Sequence, residues 1–116
     1  MAGDTAIVTV PERKRREALR RTEAARVVLD RLRTYVRESG TAGRFIVFGS
    51  VAVGAIRHGS DLDVIIDFPP EQEPAAWRVV EDACAEWNIP ADIMSAQTAK
   101  PSFMEKIMSR PVEIIG

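Results

Sequence analysis

Apolar residues in the first third of the chain recur at helical spacing: Leu19, Ala25, Val28, Leu29, Leu32 and Val36 fall on one stripe. The segment around them predicts a long helix from about Pro11 to Ser39. Thr9-Val10-Pro11-Glu12 has the spacing of a capping box, and Gly40 stands where a helix end favours glycine. Phe45-Ile46-Val47-Phe48 is a continuous apolar run, as expected of a strand covered on both faces, and Gly49-Ser50 ends it. A short helix is predicted over Val51–Ile56, then a loop, Arg57-His58-Gly59-Ser60. A second strand runs from Asp61 to Phe68 and stops at Pro69-Pro70. After the linker Glu71-Gln72-Glu73-Pro74, residues 75–88 read as a helix with Ala76, Val79, Val80, Ala83, Cys84 and Trp87 on one face. A third strand is expected at about Ala91–Ser95. A helix opened by Pro101-Ser102 follows to about Ser109, with Phe103, Ile107 and Met104 inward, and Val112–Ile115 closes as a short strand. The alternation predicts an α/β domain with a small mixed sheet of three to four strands flanked by helices.

The 116 residues, 46% hydrophobic and 28% charged, make an ordinary globular mixture. They divide into an N-terminal tail, 1–10, and a single domain, 11–116. A domain of this size holds a sheet and a few helices but no deep cleft between two lobes, so an enzyme built on it must borrow part of its substrate site. The lone Cys84 cannot form an internal disulfide. No apolar run approaches the ~20 residues of a membrane span. The N-terminus sets its few apolar residues before its basic ones, the reverse of a secretory signal, so the cytoplasm is the expected compartment. The net charge of −1 conceals an asymmetry: residues 1–44 hold 11 Lys/Arg against 6 Asp/Glu, and residues 45–116 hold 5 against 11. The run Arg13-Lys14-Arg15-Arg16 has no apolar residue to bury. It reads either as a solvated helix end or as a contact surface for RNA or an acidic partner.

Chemistry gathers between Phe48 and Asp67. Side chains on a strand alternate, so Asp61 and Asp63 share one face while Leu62, Val64 and Ile66 take the other. Two carboxylates ~6 to 7 Å apart repel by roughly 2 to 3 kcal/mol at an effective dielectric of 20, a penalty that a divalent cation reverses. Asp92 joins them if the third strand neighbours the second. Such a carboxylate set suits Mg²⁺, and two ions a few Å apart can hold the attacking and leaving oxygens of a phosphoryl transfer. Gly49 lets the backbone approach a phosphate, and Ser50 offers a hydroxyl and an N–H at a helix start.

Gly49-Ser50, ten residues, then Asp61-Leu62-Asp63, with the later Asp92, resembles the signature of the DNA polymerase beta-like nucleotidyltransferase superfamily, and in particular its minimal nucleotidyltransferase branch. The resemblance covers most of the chain and implies that superfamily's fold. It also implies transfer of a nucleoside monophosphate, usually AMP from ATP, to a hydroxyl with release of pyrophosphate. On that basis Gly49 and Ser50 bind the nucleotide phosphates, Asp61 and Asp63 hold both Mg²⁺ ions, and Asp92 completes the catalytic metal site and helps deprotonate the acceptor. Gly54, Arg57 and Ser60 also fall at positions where members carry Gly, Arg and Ser. Members commonly carry arginine where this chain has Val51 and Val53, and Arg57, Lys100 or Lys106 are the cations that could replace them.

The resemblance further implies an antitoxin that adenylylates a paired HEPN-type RNase toxin. The alternatives are a catalytically impaired binding module that acts by occlusion, a transferase acting on a small acceptor such as an aminoglycoside, and one acting on an RNA end. Other residues read as structural. His58 is a solvated loop residue, Cys84 a small core residue, and Trp77 and Trp87 packing residues of one helix. Asp67 lies ~13 Å along the strand from Asp63, too far to ligate the same ion, and ends the strand.

Overall fold

A computed structural model of the chain describes residues 9–57 and 59–116. His58 and most of the 1–10 tail lie outside the described residues. The elements are α1 (Val10–Ser39), β1 (Arg44–Phe48), α2 (Gly49–Ala52), β2 (Leu62–Asp67), α3 (Glu73–Glu86), β3 (Ala91–Ser95), α4 (Pro101–Met108) and β4 (Glu113–Ile115). The four strands form one mixed sheet in the order β3-β2-β1-β4. β1 runs antiparallel to both β2 and β4, and β2 runs parallel to β3. The expected fold class is therefore the observed one.

Local rules set the ends of α1. The Thr9 side chain accepts a hydrogen bond from Glu12 N–H, and Gly40 adopts the left-handed conformation (φ 65°) that closes the helix. Thirty residues give ~45 Å of helix, yet none of them before Ala24 is buried. Leu19, placed on the core stripe by its spacing, is instead 65% exposed. Among the described residues no element covers Leu19 on the first turns of α1, so an apolar residue there finds nothing to bury against.

The sheet is covered unequally. On one face Phe45, Val47, Leu62, Val64 and Ile66 pack against α1 and α3 through Val28, Leu32, Ala76 and Val80. Phe45, Phe68 and Tyr35 add tilted ring contacts with centroids 4.9–6.4 Å apart. On the other face Ile46 and Ile65 meet only Ile107 of α4, with Phe103, Met104 and Met94 partly buried around them. Among the described residues, the eight-residue α4 is the helix that packs on this second face.

Two helices, α2 and α3, differ from the sequence reading. The predicted helix over 51–56 starts at once after Phe48 and is one turn long, because Gly54 N–H and Ala55 N–H already close on Val51 and Ser50 carbonyls at 3.3 and 2.9 Å. α3 begins at Glu73, inside the expected linker, where the Ser95 hydroxyl donates to the Glu73 carboxylate. Trp87, expected on the packed face, caps the end of α3 and is 38% exposed.

Candidate active site

The strand register brings the acidic residues together. Phe48 of β1 pairs with Asp63 of β2, and Asp63 pairs with Asp92 of β3. These three side chains form a row across one end of the face that α4 covers, since Asp63 shares its face with Ile65 and lies opposite to Leu62 and Val64. Asp61 precedes the same strand and is exposed. Partial burial, then the negative charges of Asp92 and Asp61, push the Asp63 carboxyl above its ordinary value. The condition attached to Asp92, that its strand neighbour the second, is met.

Gly49 follows Phe48 and so stands beside Asp63. Its φ of 76° is a conformation that side-chain-bearing residues rarely adopt, and a Cβ there would run into Asp63 Oδ2. Ser50 is half-buried in the first turn after it. Ser60 is 9% exposed; its hydroxyl accepts a 2.7 Å hydrogen bond from Arg57 N–H and its carbonyl accepts one of 2.6 Å from Arg21 Nη1. Arg21 is itself held by Glu17 at 3.0 Å. Ser60 therefore shapes the loop that delivers Asp61. Sequence reading missed Arg21, whose partner lies 39 residues away; the one signal was a cation on the inner side of a helix next to an acid one turn earlier.

A cleft of about 400 Å³ opens at this row, lined by Phe48, Gly49, Val53, Asp63, Ile107, Arg110 and Pro111. Of the two valines that stand where arginine is common, Val51 is 7% exposed and packs in the core, while Val53 is 55% exposed and reaches the cleft. Arg57, Lys100 and Lys106 do not line it. Lys100 faces a separate cavity of about 610 Å³ with Trp77 and Phe103, and Lys106 a shallow groove along α4. Arg110 is the cation that does, and sequence reading did not single it out.

The remaining expectations resolve simply. Asp67 pairs with Arg44 across β1 and β2 at 2.7 Å, far from the acidic row. Cys84 is buried, and burial pushes its thiol up to about 11, the state of a core thiol rather than a nucleophile. Arg13, Lys14, Arg15 and Arg16 are exposed. Among the described residues, no helix is long and apolar enough to cross a membrane.

Asp61, Asp63 and Asp92 supply the hard oxygen donors that a divalent cation takes, and their mutual repulsion is the condition such an ion relieves. As the side chains stand, no group of three or more His, Cys, Asp or Glu among the described residues is close enough to hold an ion. The donors fit in type and in strand register, with closure left to the side chains.

Residues 29–115 match the family model described as a nucleotidyltransferase domain. The match begins within α1 and ends with β4, taking in every strand and the whole acidic row, and leaves the basic half of α1 outside. No curated protein matches the chain.

Proposed function

The chain belongs to the nucleotidyltransferase domain family, and from that membership we propose a Mg²⁺-dependent adenylyltransferase of the minimal nucleotidyltransferase branch, acting on a hydroxyl of a partner protein. The observation that carries the reading is the pairing of Asp63 with Asp92, flanked by Gly49. Asp61, Asp63 and Asp92 would hold the metal, as two ions in this reading, and the metal would supply positive charge against the triphosphate oxygens. Gly49 leaves the backbone bare for the phosphates, and the Ser50 hydroxyl is at hand in the same turn. The acceptor oxygen attacks the α-phosphorus, its proton passing toward Asp92, and the bond to the pyrophosphate oxygen breaks.

In this reading the acceptor lies on another macromolecule, and the elements from Gly49 to Asp92 serve the nucleotide half-site. A HEPN-type RNase toxin encoded by the adjacent gene is the partner this reading favours, which makes the chain its antitoxin. Incubation with ATP, Mg²⁺ and that gene product should raise the product's intact mass by one adenylyl group, and the Asp61→Ala/Asp63→Ala variant should not. A partner bound tightly but unmodified would instead support neutralisation by occlusion, the reading that the uncharged Val51 and Val53 favour.

The exposed Arg13–Arg16 run, outside the matched domain, is the surface this reading gives to the partner. If it contacts RNA instead, RNA affinity falls steeply with salt, and a flat salt response removes that alternative.

A further inference from the structure

The cleft beside Asp63 is the place where a triphosphate would meet this chain, and a carboxylate there repels it. Asp63 and Arg110 are the two charged side chains among the cleft's lining residues. We propose that Arg110 is the phosphate-binding residue of this site, taking the triphosphate of the nucleotide; the inference rests on the nucleotidyl-transfer reading above.

The fold explains why a residue so late in the chain stands here. β4 is antiparallel to β1 and its first residue, Glu113, pairs with Val47, two residues before Gly49. The connection from α4 into β4 must therefore pass the Gly49 turn. It is tightly held: Ser109 N–H and Arg110 N–H donate to the Glu105 and Ile107 carbonyls, both at 3.1 Å, and Pro111 fixes the next backbone angle. Among the described residues the other candidate cations are elsewhere. Lys100 and Lys106 face separate depressions, Arg57 is not a cleft residue, and Val51 points into the core. Among the described residues Arg110 makes no ion pair. Its planar fork of donors matches two phosphate oxygens at once, which a lysine cannot do. Val53, in the same cleft, contributes apolar surface only.

The test is calorimetric titration of the full chain with three probes, ATP, inorganic tripolyphosphate and AMP, each with Mg²⁺. Arg110→Ala should weaken ATP and tripolyphosphate about 10- to 100-fold, the range for losing a charge-assisted hydrogen-bond partner, and leave AMP unchanged. Arg110→Lys should recover part of the loss, and both variants should melt as the parent does. Unchanged tripolyphosphate affinity in Arg110→Ala, or an equal loss for ATP and AMP, overturns the assignment. If Asp61→Asn/Asp63→Asn loses ATP while Arg110→Ala does not, the nucleotide reading stands and only the role of Arg110 falls. A parent chain that binds neither ATP nor tripolyphosphate overturns both.

Discussion

The Asp63 carboxylate occupies the space that any side chain on residue 49 would need. Asp63 Oδ2 lies against Gly49, which also carries a φ of 76°. One small residue thus serves two demands, a left-handed backbone and room for an acidic side chain. Gly49→Ala should cost ~1 to 3 kcal/mol of stability from the strained backbone and displace Asp63, abolishing nucleotidyl transfer. Denaturant melts and a turnover assay check this; an active, equally stable variant would contradict it.

Asp63 should oppose folding when no metal is present. Its carboxyl is raised by partial burial and by Asp92 and Asp61. A group whose folded value is raised contributes stability below its unfolded value and loses it as pH rises through the folded one. Metal-free Asp63→Asn should therefore melt above the parent at neutral pH, and the gap should close in acid. Mg²⁺ should raise the melting temperature of the parent more than that of the variant. A variant less stable than the metal-free parent at neutral pH would count against a strained carboxylate row.

Arg21 sets the approach to the site from α1. Its Nη1 donates to the Ser60 carbonyl at 2.6 Å, one residue before Asp61. Arg21→Met keeps the aliphatic stem and removes the bond, so the expected loss is ~1 kcal/mol of stability with a larger fall in turnover than in ATP affinity. A change confined to stability would make the residue purely structural.

Cys84 gives an alkaline signature. Burial alone pushes its thiol from 9.0 to about 11, so its contribution is complete below pH 9 and is lost as pH rises toward 11. At 1.36 kcal/mol per unit that is about 2 to 3 kcal/mol. Denaturation at pH 8 and pH 10.5 should show Cys84→Ala losing less stability than the parent across that interval. Equal losses would contradict it.

The legible parts of this fold are those governed by neighbours in sequence. Thr9, Glu12 and Gly40 announce the ends of α1 because caps act within one turn, and β1 appears where the apolar run Phe45–Phe48 stands. Gly49-Ser50 and Asp61-Leu62-Asp63 stand out because a turn and a strand alternation are local facts. What escaped depends on pairing across the chain. Arg110 comes to line the cleft beside Gly49 only because β4 folds back beside β1, and Arg21 meets the Ser60 carbonyl only because α1 lies across the β2 approach. Leu19 failed in the opposite sense, since helical period says which side of a helix it lies on but not whether anything covers that side.

Nucleotidyl transfer by Asp61, Asp63 and Asp92 is read most directly with ATP labelled separately at the α- and γ-phosphates, incubated with Mg²⁺ and the partner protein from the adjacent gene. Partner labelling is expected from the α-position alone, accompanied by free pyrophosphate, and lost in Asp63→Asn and Asp92→Asn. Labelling from the γ-position, or α-labelling that survives both substitutions, would contradict it.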